Sequence, residues 1–522
     1  MVTNNKMNSY RFICMILFAV LVFSTPGYGL KENLVTNIDG KIRVIIFHYG
    51  NGGYFSGLWF DMSVLYRDLM DKMDPEVGFV ILVGTDEKAE NLKNTLASYS
   101  NQNLPDGTPR LKYLQVNVKT SRFYPWARDG YFVLADQDDN LVFLDAGFNE
   151  RPFPITNFNE VFAGARTRAG VIWRGGGNVR ATDKEIFVGI DTILGIETTP
   201  RWNMYDVPEK NILSELLDFQ NTMSLEKKSQ SGDVKKTESE INENSIKKRY
   251  AKILARFKRK FDAHASQIHY NLAPDLKMVI PGKERFFSQL EKGQFSAIDK
   301  RAWHSGAQAA YHTDVYLSLG PLDEHGRRII FIADSKAGAE IVKKMTPEKR
   351  RGIERKMADI LAGEGFEAAG IAVTADQIRA RFRWEKHKLL DLGLKPAAIL
   401  AKTLDQTAAH LEKMGYRVLR VPYYPNGLSN ESEKNDRRRG ISFNYSNVLT
   451  EVYGDVKKVY MPTFGFEQLD RAAARAYEKA GCQVIFIKGL LTNALTSWFD
   501  GAGLDCLTSD IRVPVKWAVR VK

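Results

Sequence analysis

Glu412-Lys413-Met414-Gly415-Tyr416-Arg417-Val418 recurs 66 positions further on as Glu478-Lys479-Ala480-Gly481-Cys482-Gln483-Val484. Each copy closes an Ala-rich stretch with helical spacing. Leu404, Ala408 and Leu411 mark the first, and Leu469, Ala473 and Tyr477 the second. A glycine stops each helix, and a β-branched run follows, Val418 to Val421 or Val484 to Ile487. Between the copies, Tyr445 to Val452 and Lys458 to Met461 read as strands. The unit is therefore strand, strand, helix, strand. Its return at a fixed offset predicts a fold assembled from copies of one module.

The same alternation extends towards the N-terminus. Lys41 to Phe47 and Val77 to Val83 are apolar β-branched runs bounded by Gly, Asn and Pro. Tyr131 to Ala135 and Leu141 to Leu144 predict a hairpin across Asp136 to Asn140. Val171 to Trp173, Gly175-Gly176-Gly177 and Ile186 to Val188 predict strand, tight turn, strand. Two stretches interrupt this pattern, a charged one at 207–300 and a helical one at 335–414. In the first, Ser224 to Asn244 reads as a solvated linker. Ile246, Tyr250, Leu254, Phe257 and Phe261 then predict a helix whose other face is basic. Such a helix, 246–261, packs with its charges in water, or touches an anionic membrane or an acidic partner. It lacks the exposed aromatics of a nucleic-acid platform, so no nucleic-acid partner is expected. In the second, Thr346-Pro347 is a helix start with Pro at the first position, and Thr374 to Gln377 is a capping box.

The chain has 522 residues, 44% of them hydrophobic and 26% charged, with a net charge of +12. This balance fits a globular body of one large domain with insertions, or two domains. Lys6 and Arg11 precede the apolar run Phe12 to Phe23, and small residues follow at Gly27 and Gly29. Residues 1–29 read as a signal peptide, with residues 30–522 as the exported catalytic body, periplasmic or secreted. Of the three cysteines, Cys14 lies in that leader. Two remaining cysteines do not make a disulfide scaffold, and both read as free thiols. Cys482 opens an apolar run and reads as buried, whereas Cys506 lies among Gly501, Gly503 and Asp505, in a context suited to chemistry.

Four segments carry chemistry: Trp126-Ala127-Arg128-Asp129, His312-Thr313-Asp314, Tyr445-Ser446-Asn447, and Gly503-Leu504-Asp505-Cys506. On a strand, His312 and Asp314 would share a face. Carboxylates match the planar fork of a guanidinium. A thiolate attacks its central carbon, and a bound cation favours that thiolate. An imidazole moves the protons. Asp505, next to Cys506, would oppose the thiolate if it pointed inward. His304, His312 and Asp314 lack the further ligands that zinc requires, so no metal and no cofactor are expected.

In this order the four segments resemble the guanidino-group-modifying enzymes, most closely the agmatine deiminases and bacterial peptidylarginine deiminases. The resemblance covers the chain outside the leader and the two inserts. It implies an α/β pentein propeller, five ββαβ modules about a pseudo-fivefold axis, with helical insertions. It also implies that Cys506 is the nucleophile, His312 the general acid and base, and Asp129 and Asp314 the guanidinium ligands. Trp126 would be a pocket wall and Asn447 a neighbour of the nucleophile. Arg151 would face a substrate carboxylate. The reaction implied is hydrolysis of a peptidyl-arginine or arginine-derivative guanidinium to a citrulline-type product and ammonia. Amidino transfer on the same fold, a non-catalytic pentein binding protein and a papain-like protease are the rivals, the last lacking its usual Cys context. The sequence departs from the family in having no Glu beside Gly175-Gly176-Gly177 and in having Tyr311 before His312.

Overall fold

The computed structural model describes residues 32–50, 58–59, 61–117, 126–145, 155–168, 176–194, 236–292, 312–365, 367–368, 371–381, 389–425, 442–490 and 503–518. The leader (1–29), Arg151, His304, Tyr311, the run Val171 to Trp173 and all of 207–235 lie outside them.

The repeat that opens the sequence argument is plainest in the C-terminal half. Leu449–Tyr453 and Val456–Pro462 form an antiparallel hairpin. Gly454, at φ 50°, serves the two-residue turn. Helix Glu467–Glu478 follows, and Gly481 at φ 76° ends it. Gln483–Ile487 then returns parallel to the second hairpin strand. The preceding copy has the same order. Leu317–Leu322 pairs antiparallel with Arg328–Asp334, and Arg417–Tyr424 returns parallel to it. Here the crossover holds the predicted helical insert, including Ser335–Lys343, Pro347–Gly363 and Leu394–Lys413. The Thr346 cap and the reciprocal Thr374–Gln377 capping box form as expected.

Three further sheets share this pairing order. Tyr131–Ala135 pairs with Leu141–Asp145, and Arg166–Arg168 returns parallel. Val179–Ala181 pairs with Glu185–Val188, and Lys277–Val279 returns parallel. In the last, Thr508–Ile511 pairs antiparallel with Val44–Tyr49, and Gly78–Val83 returns parallel after helix Ser63–Lys72. Leu111–Gln115 extends that sheet. The two ends of the described chain thus close one unit together. Arg512 reinforces the closure by donating to the carbonyls of Ile38 and Gly40 at 2.9 and 3.0 Å.

The charged insert differs from its reading. A single helix runs over Lys236–Leu272, so the segment from Lys236 is helix rather than linker. Lys and Glu are good helix formers, and solvated charge does not forbid a helix that its C-terminal half anchors. Tyr250, Leu254, Phe257, Phe261, Ile268 and Leu272 are buried in one apolar cluster with Phe132, Val142, Ile186 and Val188. Lys247, Lys248, Arg249, Lys252, Arg256 and Arg259 are exposed on the other side. Among the described residues, no helix is long and apolar enough to cross a membrane.

Candidate active site

The first strand of each unit is preceded by a short non-strand segment, and these five segments meet. They are Ala127–Gly130, Gly176–Asn178, His312 with Thr313–Tyr316, the stretch 445–448, and the stretch 503–507. The backbone N–H of Arg128 donates to the carbonyl of Cys506 at 3.4 Å. Thr313 N–H donates to Asn178 Oδ1, and Thr313 Oγ1 to the carbonyl of Gly177, both at 2.9 Å. Asn447 Oδ1 accepts from the N–H groups of Asp505 and Cys506 at 2.7 and 3.1 Å. One side chain therefore sets the backbone of the cysteine turn. Gly503 is what lets it come so close, since a Cβ there would lie 2.7 Å from Asn447 Cβ.

Two local readings are corrected. His312 and Asp314 do not share a strand face. His312 is extended, and Asp314 lies in the one-turn helix Thr313–Tyr316. The Thr313 bonds to the glycine turn hold this bend, and the side chains still meet, His312 Nδ1 lying 4.0 Å from Asp314 Oδ1. Tyr445 to Val448 is not strand either. The strand begins at Leu449, and Ser446 and Asn447 are buried in the turn before it.

Cys506 is 3% exposed and Asp314 fully buried. The thiol donates to Asp314 Oδ2 at 2.9 Å, and Asn447 Nδ2 donates to Sγ at 3.1 Å. Asp314 Oδ1 makes no hydrogen bond among the described residues. Burial holds the Asp314 carboxyl well above the usual carboxylate range. Arg180 pulls it down and Asp505 pushes it up. Burial, with Arg180 beside it, lowers His312 to about 3, so the imidazole is neutral. Gly177 makes room for both, since a Cβ there would lie 2.5 Å from His312 Nδ1 and 2.7 Å from Asp314 Oδ2.

Asp505 does not act as an unmatched negative charge beside the thiol. Its Oδ2 lies 2.9 Å from Arg128 Nε and 2.5 Å from Arg180 Nη2. Arg128 also donates to the carbonyl of Asp505 at 3.2 Å and to Asp510. Burial opposes the Arg128 charge, but Asp505 and Asp510 outweigh it and raise its pKa. Burial likewise opposes the Asp510 charge, and Arg512 and Arg128 hold it down to about 2. Sequence reasoning missed Arg180 and Asp510, and treated Arg128 only as part of a motif. The one signal was that Arg180 follows the glycine turn by three residues.

The structure thus brings together Cys506, His312, Asp314 and Asn447. It places Asp129 in the adjoining turn Ala127–Gly130, with its side chain outside the description. Trp126 is buried in the main apolar core at the start of that turn. Donor atoms of His312, Asp314 and Cys506 lie within 4.8 Å of one another, a spacing a metal ion accepts. The Arg180 guanidinium, 3.9 Å from Asp314, opposes a second cation there.

No protein-family profile matches this sequence, and no curated protein matches it. Among solved structures, the chain is similar to a candidate arginine deiminase from Porphyromonas gingivalis. The identity is 12% and the TM-score 0.44, over 93% of this chain and 100% of that one.

Proposed function

We propose that the protein is a guanidino-group deiminase of the pentein type, hydrolysing a peptidyl-arginine or arginine-derivative guanidinium through Cys506. The observation that carries this reading is the meeting of thiol, carboxylate, imidazole and amide from separate units at one buried point. Five units with one pairing order, each sending the segment before its first strand to that point, support a ring about a pseudo-fivefold axis.

Each group has a task. Asp314, whose Oδ1 lacks a donor among the described residues, accepts from the substrate guanidinium, and Asp129 supplies the second carboxylate. The thiol proton passes to the neutral imidazole of His312 as the S–C bond forms. His312 gives that proton to the leaving nitrogen, the C–N bond breaks, and ammonia departs. Water then adds to the amidino carbon and yields a proton to His312. The C–S bond breaks, and the proton returns to sulfur. The side-chain amide of Asn447, its Nδ2 already 3.1 Å from Sγ, steadies the thiolate. Arg151 facing a substrate carboxylate, and export through residues 1–29, belong to the same reading. So does weak contact of helix 246–261 with an acidic partner or membrane.

The test is citrulline-type product release from free arginine, agmatine and an arginine-containing peptide, with Cys506→Ser beside the wild type. Cys506-dependent release from one of them selects the substrate class. Product formed only when an acceptor amine such as glycine is supplied would replace hydrolysis by amidino transfer.

A further inference from the structure

The two arginines at the centre of the site are held very differently. Arg128 has the carboxylate and carbonyl of Asp505 and the carboxylate of Asp510. Arg180 is 3% exposed and reaches the same Asp505 oxygen at 2.5 Å and Asp314 Oδ2 at 3.9 Å. Yet neither its Nε nor its Nη2 makes an aligned hydrogen bond among the described residues. Burying a guanidinium whose Nε finds no aligned acceptor among the described residues is costly, and the ion pair with Asp505 is what offsets it. Its neighbour Asp314 Oδ2 is the atom that accepts from the Cys506 thiol.

We propose that Arg180, held on Asp505 and 3.9 Å from Asp314, is an internal cation beside the substrate's place that an incoming guanidinium must push aside to bind Asp314. This rests on the deiminase reading of the site. Arg180 is then a specificity-determining residue. It sets a threshold against small cations that bring nothing but their charge. A substrate with further contacts, such as a peptide backbone, has binding energy to spend on the displacement.

The experiment needs no turnover. Chloroacetamidine is a cation and chloroacetamide its neutral isostere. Their alkylation rates at Cys506 in the full chain, read by peptide mass spectrometry at pH 8.5, give a ratio. General damage to the site moves both rates together, whereas loss of a competing cation moves only the ratio. Arg180→Met is expected to raise the cation-to-neutral ratio by about tenfold or more, the effect of removing roughly one close like charge. Arg180→Lys keeps it near the wild-type value. If Arg180→Met does not fold, Arg180→Met with Asp505→Asn removes both members of the pair, and the ratio rises there too. A flat ratio in a folded variant overturns the proposal, and so does a Cys506 that neither reagent reaches in any variant. A flat ratio alongside Cys506-dependent turnover sinks this inference and leaves the deiminase reading standing. A raised ratio with no turnover from any guanidinium keeps Arg180 as a cation that opposes others near Cys506, but overturns the deiminase reading and with it the role of Arg180 in substrate choice.

Discussion

Cys482 and Cys506 are about equally buried, at 4% and 3% exposure, and both are free thiols. Their surroundings are opposite. Cys482 follows the turn at Gly481 and joins the main apolar core. Burial pushes its thiol up to about 11, with Lys457 offering slight relief. Cys506 faces Asp314, receives an N–H from Asn447, and sits beside the Arg128 and Arg180 ion pairs. Depth does not distinguish these two thiols. The hydrogen-bonding company does, because only polar neighbours stabilise the charge that attack requires.

Substitutions at three positions on the Cys506 side test this contrast, from the largest effect down. On the proposed reading, Cys506→Ser is expected to reduce product release by about 10⁴-fold or more, because it removes the proposed nucleophile. Circular dichroism should be unchanged, and retained activity would sink the assignment. Asp510→Ala strips the shared partner from the buried guanidinium groups of Arg128 and Arg512. It should cost about 3–5 kcal/mol in denaturant unfolding. The pH dependence has a definite sign. Asp510 has a folded pKa near 2. Its contribution is therefore complete above the unfolded carboxylate value and is lost as pH falls towards 2. The stability gap between wild type and Asp510→Asn should close over that interval, and a gap that persists below it would contradict the pairing. Asn447→Ala should slow alkylation and turnover about 10²-fold, as loss of a preorganised donor does. A smaller loss than that of an exposed Asn would deny it any part in the site.

The repeat at 412 and 478 was legible because its helices, stops and strands follow local rules that survive packing. Gly415 and Gly481 take positive φ, and the strands after them pair in parallel. Cys506, His312, Asp314 and Asn447 were legible as residue types in a fixed order. Their geometry was not. His312-Thr313-Asp314 reads as strand by period, yet Asn178 and Gly177, more than 130 positions away, bend it into a helical turn. The Lys236 helix was misread because charge content alone does not distinguish linker from helix. Arg180 was invisible for a different reason. Nothing in Val179-Arg180-Ala181 says that the middle side chain reaches Asp505, more than 300 positions on. Only the register of five units does.

The smallest expected effect is on the other thiol, and it tests the contrast most directly. Cys482→Ala removes one sulfur from a packed site, where the cost is that of a small cavity, roughly 1–2 kcal/mol. No polar group loses a partner side chain, since the contact the residue makes through its backbone, N–H to the carbonyl of Tyr477 at 3.3 Å, stays. Turnover and Cys506 alkylation should therefore remain within a factor of about two of wild type. Native protein of residues 30–522, which lacks Cys14, should take up one equivalent of iodoacetamide at pH 8.5, and two in denaturant. Native uptake at Cys482 below pH 10 would show that burial is not what protects it, and the distinction between the two cysteines would have to rest on Asn447 and Asp314 alone.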